Sequence, residues 1–407
     1  MQTLSSTPTD TSILGRVALS YCPIIDRQRN VMATRLTVSP LMPGQSLPVA
    51  DLLAAVGEVW PADGQRVALS VRSERLLGDL LEVAPTTNIM IEVPKFMAAD
   101  PLHREAILTL AANGNLLLLS GRPDQPLPRE LLGCFKYAIV DLADERRLEG
   151  QPAPAGVQRS IGFFQDGVRS FADMESAFKR NAVAVLGWPI PEIAPPKPGR
   201  SAAASRPDLQ ATIELINQVD DEAPLPQIEA TLKRDPTLAY KLMRYINSPV
   251  FGLSVEISSF SHAVMLLGYQ RLKRWLALLL VTAGNDVNQR PVMFAAVRRG
   301  LLMEQLAPAG CDAGVRGEMF ICGVFSLLDR MFNQPFPELL KTIPVPDAVY
   351  HALVEGHGPY EYAINLVRSL EGGTAPEIVE AADQGMLEMR TVNRALLHAL
   401  GGAIQLS

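Results

Sequence analysis

Residues 225–268 read LPQIEATLKRDPTLAYKLMRYINSPVFGLSVEISSFSHAVMLLG, and the backbone signals in that stretch leave little freedom in how it folds. Asp235-Pro236 starts a helix, because the carboxylate can cap free N–H groups and proline fits the first helical position. Leu238, Leu242 and Ile246 then share one face at i, i+4 and i+8. Asn247-Ser248-Pro249 stops the helix, since asparagine tolerates left-handed backbone and a proline two residues on forbids continuation. Phe251-Gly252 turns the chain, and Ser258 or Ser259 caps a further helix that Gly268 ends. Asn247 is read as a helix end whose amide bonds the next loop, in preference to a ligand contact.

The ordered set LPxI, DPxLxxxLMRYINSxxFG and AVxLLG resembles the HDOD domain, a metal-free relative of the HD phosphohydrolases in bacterial signalling proteins. The resemblance covers roughly the second half of the chain and implies an all-α, non-catalytic bundle. An ordinary helical bundle whose caps coincide with the pattern is the alternative.

At 407 residues, with 48% hydrophobic and 20% charged residues, the chain is expected to form two globular domains. A net charge of -6 argues against a broad nucleic-acid-binding surface. Cys22, Cys134, Cys311 and Cys322 include no CxxC pair, so reduced, buried thiols are expected. The opening MQTLSSTPTDTS lacks the regions of a signal peptide, and the most apolar run, 276–283, is too short to span a bilayer. A cytoplasmic protein with no membrane partner is the expectation.

Before residue 190, short apolar runs alternate with helical segments. Strands are predicted at 17–22, 31–38, 66–71, 88–93, 115–120 and 137–141, and helices at 49–59, 73–83, 102–112 and 128–132. Such alternation implies parallel strands in an α/β layer or barrel. Five segments, VALSYCPIIDRQRNVMATRL, VALSV, IMIEVP, YAIVD and LGWPIP, in that order resemble the EAL domain, a (β/α) barrel that hydrolyses cyclic di-GMP in its active members.

The departures from that pattern bear on chemistry. Hydrolysis in the EAL family needs two metal ions held by carboxylates and an amide. On this resemblance Thr34 stands at the signature Glu, Ala68 at the Asn, Ser120-Gly121 at the paired Asp, Ile139 at the Lys and Arg169 at the later Glu. Glu92 and Asp141 remain as the possible ligands and are expected to pair with neighbouring groups instead. The resemblance therefore implies a degenerate EAL domain, with no metal, cofactor or catalytic residue.

Residues 191–205 form a Pro/Ser/Ala-rich linker, across which few contacts are expected. The expected fold is an α/β barrel-like domain at 1–190 followed by an all-α helical bundle at 206–407. Helices are predicted at 269–282, 292–306, 315–328, 335–340, 346–355, 360–370, 378–386 and 389–400. GVFSLLDRMF at 323–332 resembles the place where HD hydrolases carry "GLLHDIG", with Ser326-Leu327 at the His-Asp pair and Asp329 one turn too far along. None of the five histidines forms a metal-binding motif, and His351 and His357 read as surface or cap residues flanking a Gly-containing turn.

Arg271, Lys273 and Arg274 form a cationic cluster, read as a solvated helix face or a docking surface, with Arg298-Arg299 a weaker version. The candidate structural or docking residues are thus Asp235, Pro236, Asn247, Ser248, Gly252, Gly268, Arg271 and Arg274. The function expected is a non-catalytic scaffold in cyclic-di-GMP-related bacterial signalling, with other signalling proteins as partners and neither cyclic di-GMP nor nucleic acid among them. A receptor that binds cyclic di-GMP without hydrolysing it is the alternative.

Overall fold

Eight strands close into a barrel in chain order. Strand β1 (Val17–Asp26) runs antiparallel to both β2 (Val31–Pro40) and β8 (Ala184–Gly187). The parallel run continues through β3 (Arg66–Val71), β4 (Ile89–Pro94), β5 (Leu117–Ser120), β6 (Phe135–Asp141) and β7 (Gly162–Val168). The barrel carries helices α1 (Val49–Val59), α2 (Glu74–Glu82), α3 (Lys95–Ala99), α4 (Arg104–Ala112) and α5 (Phe171–Lys179). This computed structural model describes residues 13–83, 85–121, 127–145, 161–191, 207–234, 260–282 and 287–405. Asp235, Pro236, Asn247, Ser248 and Gly252 lie outside the described residues.

Strand alternation fills the barrel in layers. Ile24, Ala33, Ala68, Met90, Leu118, Ile139, Phe164, Ala184 and Leu186 form an apolar cluster, with small alanines making room for Phe164 and Met90. Two residues further along their strands, towards the carboxyl ends, Arg35 and Glu92 replace apolar side chains, as does Asp166 on β7. Here the interior becomes polar. The sequence reading assigned no strand at β7. Its GFFQDGV carries two glycines and two polar residues, yet Gln165 is fully buried because its amide donates to Val140 O at 2.7 Å.

The second half is helical: α6 (Pro207–Asp220), α7 (Leu225–Lys233), α8 (Phe260–Thr282), α9 (Arg290–Gln305), α10 (Ala313–Phe325), α11 (Leu328–Phe332), α12 (Phe336–Leu339), α13 (Asp347–Tyr350), α14 (Glu361–Leu370), α15 (Ala375–Gln384) and α16 (Met389–Gln405). Gly268 interrupts α8 with φ 70° and ψ 166°, at the place where a helix end was predicted. The predicted helix at 315–328 breaks instead at Ser326–Leu327, and the one at 346–355 passes into a π-turn at His351–Glu355. At 128–132 only a 3-10 turn, Arg129–Leu131, is present. Of the four cysteines, expected to be buried, only Cys322 is fully so; Cys22, Cys134 and Cys311 are half-buried. Among the described residues no helix is long and apolar enough to cross a membrane.

The expectation that few contacts cross between the halves is not met. One continuous apolar core runs from Ile13 and Trp60 in the barrel half to Leu396 and Ala403 in the last helix. Helix α16 packs on β1, on α1 and on the turn Ile13–Gly15, while α9 reaches β2. The halves are cemented by apolar burial, the dominant favourable term in folding.

Candidate functional site

The carboxyl ends of parallel barrel strands are where such folds place their chemistry. In this barrel that end is organised by Arg35. Its Nη2 donates to Glu92 Oε2 at 2.7 Å, and its Nη1 donates to Asp166 Oδ2 at 2.7 Å. Both Arg35 and Glu92 are buried, and Asp166 is 21% exposed. Burial alone would lower the Arg35 pKa, but Glu92 and then Asp166 more than offset it and leave the guanidinium held well above its ordinary range. A buried cation locked between two carboxylates is a fixed charge cluster, costly to open from any side.

A second buried arginine answers it from the helical half. Arg299 on α9 grips Glu371 in a bidentate pair, Nε to Oε1 at 2.7 Å and Nη2 to Oε2 at 2.6 Å, with both side chains 6% exposed. Its Nη1 also donates to Ser326 Oγ at 3.1 Å, and that hydroxyl donates to Gly323 O at 2.7 Å. Burial opposes the Arg299 charge, and Glu371 overcomes it, so this pKa is also raised. Glu371 begins the loop from α14 to α15, which closes over the barrel mouth.

Between the two arginine centres lies a cavity of about 700 Å³. Arg35, Asp166, Arg72 and Arg169 line it from the barrel, and Glu371, Gly372, Gly373, Thr374 and Ala375 line it from the loop. The exposed Arg72 and Arg169 side chains have no carboxylate partner among the described residues. Beside it Tyr21 is buried, and burial, then Glu371, holds its phenol protonated. The Tyr21 ring meets Trp188 edge-on at 5.3 Å, and Trp188 faces Phe294 of α9 at 6.4 Å. An aromatic seam thus joins the halves next to the cavity.

The structure corrects several assignments made from the sequence. Thr34 does not face the interior, because alternation along β2 turns Ala33 and Arg35 inward. Asp141 takes no part in the cluster: it is exposed and caps a short turn, accepting from Ala143 N at 2.8 Å. The acid that shares Arg35 with Glu92 is Asp166, three residues before Arg169, the residue that the resemblance sets at the later Glu. Neither Arg35 nor Asp166 was singled out. The available signal was the period of 2 from Ala33 to Arg35 and from Phe164 to Asp166, hidden by the irregular composition of β7.

The basic face on α8 is also less free than expected. Lys273 is paired with Asp220, and Arg274 with Glu304, while the Arg274 guanidinium lies 4.1 Å from the Phe320 ring centre. Arg271 stays exposed. Arg298 and Arg299 are not a solvated pair: both are buried, and Arg298 stacks 3.0 Å from the Phe294 ring centre. Burial pushes the Arg298 pKa down to about 9, only partly countered by Tyr21. Asp329 sits away from Ser326-Leu327 in role as well as in sequence, accepting from Arg330 N at 2.8 Å. His351 and His357, separate in the sequence reading, are brought together around Glu355.

Comparison with known proteins places these observations. The chain is 28% identical over 176 residues to the uncharacterized protein YuxH of Bacillus subtilis, a match covering 42% of this chain and 42% of that one. It is 26% identical over 166 residues to the cyclic di-GMP phosphodiesterase CdgJ of Vibrio cholerae, covering 40% of this chain and 38% of the relative. An uncharacterized protein of Treponema pallidum is 26% identical over 137 residues, covering 33% and 26%. The chain therefore spans about two fifths of the length of the first two relatives and about a quarter of the third. A family model matches within the helical half: residues 206–332, from α6 to the end of α11, match the HDOD domain.

Proposed function

We propose that this chain is a non-catalytic signalling scaffold in cyclic-di-GMP-related regulation, built from a degenerate EAL barrel and the HDOD domain. The observation that carries the proposal is Arg35. Two-metal phosphodiester hydrolysis requires carboxylates free to bind divalent ions and to activate water. Here Glu92 and Asp166 each spend an oxygen on one guanidinium, whose charge repels a metal ion from that place. The residues at the barrel mouth therefore do not fit a two-metal centre. In the helical half, Ser326, one of the two residues the HD resemblance sets at the metal-binding pair, accepts from Arg299, which also holds Glu371.

The link to cyclic di-GMP rests on CdgJ, which is named as a phosphodiesterase of that dinucleotide. The partners proposed are other signalling proteins that dock on the helical half. The test is hydrolysis of cyclic di-GMP by the full chain with magnesium or manganese, where no turnover above a blank is expected and any turnover abolished by Glu92→Gln overturns the proposal.

One observation favours a second reading, a receptor that binds the dinucleotide without cleaving it. A cavity of about 700 Å³ with Arg72 and Arg169 on its wall is of ligand size and carries cations for phosphates. Calorimetry with cyclic di-GMP decides between the two. Binding in the micromolar range that Arg72→Ala weakens selects the receptor, and its absence leaves the scaffold.

A further inference from the structure

A cluster far from the barrel mouth in sequence has the chemistry of a metal site. The π-turn His351–Glu355 ends on Gly356 in the left-handed region at φ 67°, and Gly358 follows at φ 106°. That reversal folds the chain back, with His357 N donating to His351 O at 3.3 Å, so that His357 returns beside the turn it has just left. The His351 and His357 rings stack with centres 5.1 Å apart and planes 21° apart. His351 Nδ1 and His357 Nε2 both lie 2.7 Å from the same oxygen, Glu355 Oε2. One candidate ligand atom from each residue, two imidazole nitrogens and a carboxylate oxygen, lies within 4.8 Å of the others.

We propose that His351, Glu355 and His357 form a binding site for one divalent transition-metal ion of the zinc class. Two neutral imidazoles and a carboxylate are a donor set that zinc, nickel and copper take, whereas magnesium and calcium prefer all-oxygen sites. The ion takes the place of the hydrogen bonds between the rings and Glu355, each neutral ring carrying its proton on the nitrogen turned away from the ion. Modest side-chain movement brings the three donors to the usual ligand distances of about 2.0–2.2 Å. All three side chains are more than 40% exposed, which leaves a coordination position open to water. The site would staple the π-turn to the Gly356–Gly358 reversal that leads into α14, the helix before the loop over the barrel mouth.

The experiment is zinc titration of the full chain by calorimetry, beside His351→Ala, His357→Ala and Glu355→Gln. One equivalent of zinc is expected to bind the wild type in the micromolar range or tighter, and each histidine variant should lose affinity by roughly tenfold or more. Circular dichroism checks that these exposed substitutions leave the fold intact. A zinc-dependent rise in Tm, present in the wild type and absent in both histidine variants, is the second readout. No zinc binding, binding unchanged in the histidine variants (as for an ion held by the free cysteines), or magnesium binding as tightly as zinc would each overturn the assignment.

Discussion

The side-chain amide of Asn393, on the last helix, is hydrogen-bonded into the first strand: its Oδ1 accepts from Leu19 N at 3.1 Å. Its Nδ2 donates to Leu14 O and Val17 O, each at 2.7 Å, and the residue is fully buried. Backbone groups of β1 and of the turn before it are thereby satisfied by a residue more than 370 positions away in the chain. The two halves are consequently joined by buried hydrogen bonds as well as by the shared apolar core.

Asn393→Ala is therefore expected to destabilise the full chain by roughly 2–4 kcal/mol, since three buried backbone groups lose their partner at once. Urea unfolding followed by fluorescence and by circular dichroism measures this. The two probes should also report coincident transitions, because Trp60 and Trp188 sit in the barrel half and Trp275 in the helical half.

Removing Arg35 leaves two acids at the barrel mouth without their counter-charge. Arg35→Met is expected to cost roughly 3–5 kcal/mol, and Glu92→Gln in the same background should recover part of it. A double-mutant cycle on thermal unfolding reads the coupling. Additive losses would show that the two side chains do not act as a pair.

The grip of Arg299 on Glu371 should hold the loop at 371–375 against the barrel. In Arg299→Lys the charge remains but the two-pronged geometry is lost. Amide hydrogen exchange in that loop should then rise by about tenfold or more, an opening easier by roughly 1.4 kcal/mol, while exchange in β3 to β6 stays unchanged.

On α8, two neighbouring cations should behave differently. Arg271→Ala, at an exposed side chain, is expected within about 0.5 kcal/mol of wild type. Arg274→Ala loses the Glu304 pair and the Phe320 stack, and should cost roughly 1–2 kcal/mol. Chemical denaturation of both single variants checks the contrast.

Helices α9 and α10 meet at Gly300 and Gly323, where a Cβ on Gly323 would lie 2.7 Å from Gly300 Cα. No side-chain rotation relieves a clash with backbone. Gly323→Ala should therefore destabilise by about 1–3 kcal/mol and shift the neighbouring Arg299, so its loss of Tm should come with faster exchange in the loop at 371–375.

Much of the barrel half could be read from local pattern, and the reason is visible in particular elements. The helix predicted at 49–59 and the strand at 66–71 coincide with α1 and β3, because apolar spacing and turn residues agree there with the fold. Strand β7 escaped notice because Gln165 and Asp166 are polar residues whose partners, Val140 O and Arg35, lie on other strands, and no local rule announces such partners. The candidate site was legible in part: Glu92 and Asp141 pair with neighbouring groups as expected, but Arg35 and Asp166 were not singled out.

The sequence by itself determined where many of the helices and strands lie, α1 and β3 to the residue, because caps, glycines and apolar periods act within a few residues. It also pointed to the HDOD family in the second half, expected over 206–407, where the family model matches residues 206–332. Only tertiary structure decided which charges meet. Arg35 finds Asp166 across 131 positions, Arg299 finds Glu371 across 72, and Asn393 finds Leu19 across 374. Such pairs are selected by closure of the barrel and by packing of the last helices onto it, and their energy comes from desolvation that exists only once both sides are buried.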